Sequence, residues 1–191
     1  MKTLINYKNE DEYIKHQKSK TTNPRQQGVF KKNHKKRTKI FLIRFKDIKV
    51  PKGSRVLCLG ARFGDEVEAW NTLGMSAIGI DIVPFLPLVI EGDFHHLQFG
   101  SDTFDVVYSN SIDHSNNPAR FMSEATRVTK KGGLVVIDFR IGMDGAFEVT
   151  SYKDHTDIVN LAPNLKFLGV NKSLHRMYKK VNEQQLIFRK E

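Results

Sequence analysis

The stretch Arg55-Val56-Leu57-Cys58-Leu59-Gly60-Ala61-Arg62-Phe63-Gly64 decides the fold. Its first half is a short apolar run closed by glycine, the pattern of a parallel strand buried on both faces. Its second half is a turn bounded by two glycines. From Asp65 to Leu73, Val67, Ala69, Trp70 and Leu73 recur at helical spacing among acidic residues, and Gly74 ends the segment. The same alternation then repeats. Residues 77–81 read as a second strand, 87–93 as a short third, and 104–109 as a fourth behind the turn formers Gly100-Ser101-Asp102. Pro118 suits a first helical turn, and Phe121, Met122, Ala125 and Val128 follow as an apolar stripe. Lys131-Gly132-Gly133 stops that helix before a fifth strand at 134–139, and the tail predicts a helix over 152–161 and strands near 165–170 and 184–188. Alternating β and α elements on short turns specify an α/β fold, a Rossmann-like doubly wound sheet.

The chain of 191 residues is about one domain long, with 39% hydrophobic and 27% charged residues. The apolar run Ile40-Phe41-Leu42-Ile43 stops at Arg44, far short of the ~20 residues that cross a bilayer. The first residues lack the apolar core of a secretory signal. One cysteine, Cys58, excludes an internal disulfide framework and a cysteine zinc cluster. A soluble cytoplasmic protein is the expectation. The net charge of +10 is concentrated: residues 1–50 hold 15 Lys/Arg against 4 Asp/Glu, and residues 51–191 hold 16 against 17. This divides the chain into a basic N-terminal extension, 1–50, and an α/β domain, 51–191. The extension reads as a helix over 11–18, a Thr/Asn/Pro/Gln stretch, and the cluster Lys31-Lys32-Asn33-His34-Lys35-Lys36-Arg37. Such an arm either grips nucleic acid or another anion, or is a solvated tail.

Ligands of open α/β sheets bind beyond the carboxyl ends of the strands, which points to the turn from Gly60 to Gly64. A dinucleotide fingerprint wants glycines where Gly60, Arg62 and Asp65 stand; only the first matches, so NAD is disfavoured. Asp81 ends the second strand, where a carboxylate either accepts both hydrogens of a ribose diol or caps a turn. Gly92-Asp93-Phe94 pairs an acceptor with an aromatic face, as an adenine requires, or is a plain turn with a core phenylalanine.

Five segments appear in order: 56–64, Gly79-Ile80-Asp81, Gly92-Asp93-Phe94 running on to Phe99, Phe104-Asp105-Val106-Val107-Tyr108-Ser109-Asn110, and Glu124 to Leu134. Together they resemble the class I S-adenosylmethionine (SAM)-dependent methyltransferases, in particular the small type that includes ubiquinone and menaquinone biosynthesis enzymes. The resemblance covers about residues 53–140. It implies about seven strands, mostly parallel with one antiparallel strand near the C-terminus, and SAM as cofactor with S-adenosylhomocysteine (SAH) as product. It implies that Gly60, Ala61, Arg62 and Gly64 cradle the methionine, and that Asp81, with Ile82 beside it, holds the ribose. Asp93 and Phe94 would hold the adenine, and Ser109 and Asn110 would lie beneath the methionine and its methyl group. Two positions depart from the family. Cys58 stands where an acid usually favours the methionine ammonium, and Arg62 stands where a glycine is usual, offering a partner for the methionine carboxylate. Between Arg62 and Arg120 there is no Lys or Arg and there are nine acids, which suits a cationic cofactor.

Methyl transfer from a sulfonium is an in-line displacement that positioning alone can accelerate. Asp113 and His114 follow the fourth strand; either they take a proton from the acceptor, or Asp113 caps the helix entering at Pro118 and His114 packs. His95 and His96 lack further metal ligands and read as structural, and Cys58 as a small hydrophobe; no metal is expected. The leading expectation is a methyltransferase for a small-molecule or glycan-like acceptor. The alternatives are a nucleic-acid methyltransferase gripping through the basic arm, and a SAM-binding protein without catalysis. Tyr13, Ile14 and Gln17 form an apolar-edged patch on the first helix, predicting a lid over the cofactor, with Lys31 to Arg37 near the pocket mouth to favour an anionic acceptor.

Overall fold

The computed structural model describes residues 1–21, 24–85, 87–171 and 182–191. Its elements in chain order are β1 (Lys2–Thr3), α1 (Glu10–Ser19), α2 (Pro24–Phe45), β2 (Arg55–Leu59), α3 (Asp65–Thr72), β3 (Ser76–Asp81), β4 (Val89–Glu91) and β5 (Phe104–Ser109). After a 3-10 turn at Ile112–His114 come α4 (Pro118–Val128), β6 (Thr129–Arg140), β7 (Thr150–Ser151), α5 (Thr156–Val159), β8 (Leu165–Val170) and β9 (Glu183–Lys190). Seven strands form one sheet in the order β4-β3-β2-β5-β6-β9-β8. The first five are mutually parallel, and β9 alone runs against its neighbours. This is the expected Rossmann-like sheet. Connectivity reverses between β3 and β5 on either side of β2, and Leu59 stands level with both Ile80 and Ser109. Three carboxyl ends therefore open side by side.

Strand periodicity sorts the core into two layers. Val56, Cys58, Val106, Tyr108 and Val136 point to the face covered by α2 and α3, with Phe41, Phe45 and Trp70. Leu57, Leu59, Val107, Val135 and Ile137 point to the opposite face, against Phe121, Met122, Ala125 and Val128 of α4. Among the described residues no helix is long and apolar enough to cross a membrane.

Four local expectations need correction. The Thr/Asn/Pro/Gln stretch was expected to separate helix from cluster, yet α2 begins at Pro24, a residue tolerated in a first turn, and runs unbroken to Phe45. Its polar middle is held from outside: His34 and Arg37 reach Asp65, and His34 and Thr38 reach Glu68, all across to α3. Part of the basic excess thus answers the acidic first turn of α3. Asn117, not Asp113, caps α4, accepting from the Arg120 N–H at 3.0 Å. β6 begins at Thr129 rather than at 134: Thr129 pairs with Phe104 and Leu134 with Val106, so the Gly132-Gly133 segment loops out as a bulge. The helix expected over 152–161 is the single turn α5.

α2 is also pinned to the sheet by charge. The Arg44 guanidinium donates to Asp138 and to Glu183, each at 2.7 Å, and Asp138 also accepts from the Tyr108 hydroxyl and the Gln185 amide.

Candidate functional site

At the three open strand ends lies a cavity of about 380 Å³. Its floor is the turn after β2. Gly60 adopts φ +71°, and a Cβ there would lie 2.7 Å from the Ser111 side chain, so only glycine fits. Gly64, at φ +74°, starts α3. Arg62 is held at φ +31°, a conformation that side chains rarely adopt. Asp81 orders this turn: its carboxylate accepts from the Arg62 N–H (3.2 Å), the Val83 N–H (2.8 Å) and Arg62 Nε (3.3 Å). The Arg62 guanidinium therefore lies on Asp81, not free in the cavity as a partner for a ligand carboxylate, and its other end meets the Gln17 carbonyl at 3.5 Å.

The roof is α1. Tyr13, Gln17 and Lys20 all line the cavity, with Tyr13 and Gln17 one helical turn apart and Lys20 at the helix end. Gln17 donates to the Phe147 carbonyl at 2.9 Å, and Lys20 donates to His114 Nε2 at 2.9 Å. Helix α2 contributes Arg37, and the end of β6 contributes Arg140. The crevice is therefore not simply acidic. Residues 63–119 bring acids, but the elements folded over them bring Lys20, Arg37 and Arg140.

A second cavity, of about 280 Å³, shares Arg37, Asn110 and Arg140 with the first and extends over Asp113, Phe139 and Met143. Asp113 is buried and among the described residues its Oδ1 has no hydrogen-bond partner; burial raises its carboxyl above the usual range. His114 Nδ1 lies 2.7 Å from the Phe147 carbonyl, which makes it the protonated nitrogen and leaves the Nε2 lone pair for Lys20. Burial lowers the His114 pKa, and burial and then nearby Arg62 lower that of Lys20. Asp113 Oδ1 is 4.0 Å from His114 Nε2, so the two are adjacent without sharing a hydrogen bond. Asp113, His114 and Glu148 converge closely enough to ligate a metal, but the Lys20 ammonium already sits on the histidine nitrogen that a metal would need.

Of the residues expected at the site, the first cavity gathers Gly60, Ala61, Arg62, Asp81, Ile82, Phe94, Asn110 and His114. Four lie outside its lining. Gly64 shapes the start of α3, and Asp93 turns to the His95 N–H (2.8 Å) and ring. Ser109 is buried and donates to the Leu59 carbonyl at 2.9 Å. Asp113 belongs to the second cavity. His95 is fully engaged, with Nε2 on the Ser115 hydroxyl at 2.7 Å, and Cys58 is buried with its thiol pushed up by burial. Sequence reasoning missed Lys20, Glu66 and Arg140 as lining residues, whereas Arg37, Phe63 and Gly92 lie in segments expected near the site. Arg140 ends a strand of the sheet, and strand ends are where such sites form; that signal was present.

The residues present suit SAM. Asp81 offers carboxylate oxygens at the switch point, the Phe94 ring and Gly92 wall one end, and a buried carboxylate, Glu66, lines the cavity. Residues 57–137 match the family model described as a methyltransferase domain. No curated protein sequence gives a match. Similar solved structures include a chain from the complex of the Haloferax volcanii Trm112 methyltransferase activator with a methyltransferase (TM-score 0.70, 15% identity, 93% of this chain and 97% of that one). Another is a TehB-like SAM-dependent methyltransferase from Corynebacterium glutamicum (0.67, 17%, 88% and 100%). A third is phosphoethanolamine N-methyltransferase 2 of Haemonchus contortus, bound to phosphomonomethylethanolamine and SAH (0.62, 15%, 81% and 52%). At such identities the likeness is one of fold. Fold, cavity and family match together make residues 57–137 a SAM-dependent methyltransferase domain on a Rossmann-like sheet. SAM is its cofactor, and the enzyme carries its methyltransferase domain between Leu57 and Ile137.

Proposed function

We propose that the enzyme methylates a small acceptor bearing a carboxylate or phosphate, held in the second cavity with its acidic group on Arg140. The observation that supports this is Arg140 itself, which lines both cavities and pairs with no carboxylate among the described residues. A guanidinium in that state suits a planar anion. The Haemonchus contortus enzyme, bound to a small phosphorylated amine, illustrates such an acceptor on this fold.

When bound, SAM supplies an electrophilic methyl group. The chain's part is to place the acceptor in line with it and to take the proton the acceptor gives up. Asn110 stands between the two cavities and orients the nucleophile. Asp113, whose raised carboxyl and unpartnered Oδ1 line the acceptor side, takes the proton, with neutral His114 as its neighbour. Helix α1 is the lid, and residues 1–50 serve the domain formed by 51–191 as its cover. A nucleic-acid acceptor is the second reading, favoured by the exposed row Lys31, Lys32, Lys35, Lys36 and Lys39 on α2.

Methyl transfer to phosphoethanolamine, ethanolamine, glycine and a short RNA separates these readings. Anionic small molecules should turn over best, and Arg140→Gln should raise their KM at least tenfold while SAH affinity moves less than threefold. Preference for uncharged acceptors, or an indifferent Arg140→Gln, refutes the small-anion reading; RNA turnover that falls steeply with salt establishes the second.

A further inference from the structure

The first turn of α3 carries three acids, and two are answered by α2: Asp65 by His34 and Arg37, Glu68 by His34 and Thr38. Glu66 is different. It is 3% exposed, it lines the cofactor cavity, and among the described residues no side chain hydrogen-bonds or ion-pairs with its carboxylate. A carboxylate so buried is costly unless protonated or paired, and the face left open to Glu66 is the cavity. Among the described residues the cation that acts on it, Arg37, spends its hydrogen bond on Asp65 instead. Cys58 of β2, Asp81 of β3 and Tyr108 of β5 are neutral or acidic, Asp65 is its neighbour on α3, and Arg37 of α2 is already held by Asp65.

By the family resemblance Cys58 stands where an acid is expected, and Glu66 acts electrostatically on that same thiol. We propose that Glu66 receives the α-ammonium of the cofactor's methionine moiety, the charge having moved from the strand to the first turn of the following helix. This rests on the cavity being the SAM site. On the same reading the other anchors leave that role to it: Asp81 would hold the ribose and Phe94 and Gly92 the base, while Asn110 lines both cavities.

Burial pushes the Glu66 carboxyl up to about 8, opposed by its own backbone N–H; Asp65 and Asp81 raise it further and Arg37 opposes them. The free protein therefore holds a proton there at neutral pH, and an incoming ammonium expels it. Cofactor affinity should rise with pH up to about 8, by at most about tenfold per unit, and level off above. His114 and Lys20 face the same cavity and titrate in any variant, so the difference between wild type and Glu66→Gln isolates this proton.

Calorimetric titration with SAH and with 5′-methylthioadenosine, which lacks the amino-acid portion, provides the test. Glutamine matches the shape of the protonated acid, so the fold should survive. Glu66→Gln should weaken SAH at least tenfold and methylthioadenosine less than threefold, and should abolish the buffer-dependent proton release expected of wild type with SAH. Unchanged SAH affinity, or equal weakening of both ligands, overturns the assignment of Glu66. Failure of wild type to bind SAH overturns the cofactor reading on which it rests.

Discussion

Replacing Arg44 with methionine should cost about 3–5 kcal/mol of stability, because it strands a buried carboxylate. Arg44 is 7% exposed and bridges two acids, Asp138 at 2.7 Å and Glu183 at 2.7 Å. Methionine replaces most of the buried stem, so the loss is chiefly electrostatic. Asp138, 1% exposed, keeps the Tyr108 hydroxyl (2.7 Å) and the Gln185 amide (2.8 Å), which places the expected loss nearer 3 kcal/mol. Burial already raises the Asp138 carboxyl, against the pull of Arg44, Tyr108 and Gln185. Removing Arg44 raises it further. An acid with a raised folded pKa contributes stability below its ordinary pKa and loses it as pH climbs through the raised value. The deficit of the variant should accordingly be larger at pH 8 than at pH 5, because the carboxyl takes up a proton more readily as pH falls. Urea unfolding followed by Trp70 fluorescence reads this directly, since the indole stacks on Phe45 of α2 with centroids 4.2 Å apart. A midpoint shift of about 1–2 M is expected. Arg44→Met with Asp138→Asn should recover much of the loss. A single-variant loss under about 1 kcal/mol, or one that is equal at the two pH values, refutes the reasoning.

Three further outcomes concern the site. SAH at a hundredfold excess over its Kd should stabilise the protein by about 2.7 kcal/mol, or roughly 5–10 °C in Tm. Asp81→Ala should weaken SAH by about 1.5–3 kcal/mol, tenfold or more in Kd, and a thermal shift given by NAD but not SAH would contradict the ribose assignment. Removing residues 1–20 should speed SAH release and collapse turnover while the Trp70 signal stays native, since α2 keeps its contacts with α3 and the sheet; a truncated enzyme with full activity would reduce α1 to a tail.

Where strand alternation and a glycine turn coincide, the sequence by itself determined the outcome. The alternation in Val56-Leu57-Cys58-Leu59 dictates which side chains face each helical layer, and the glycine at 60 follows from a turn that no Cβ can enter. The strand order around β2 and the place of Asp81 follow from the same repeat. The walls of the cavity depend instead on contacts that close over long spans: Gln17 meets Phe147 130 positions away, and Lys20 meets His114 94 positions away. No periodicity within α1 announces which residue awaits it. The polar middle of α2 is likewise unreadable alone, because its helix is held by acids on α3 rather than by an apolar stripe. The fates of three neighbouring acids make the division sharpest. Asp65, Glu66 and Glu68 look alike in the chain, and only packing turns two toward α2 and one into the cavity, since helical rotation of ~100° per residue sends adjacent side chains to different partners.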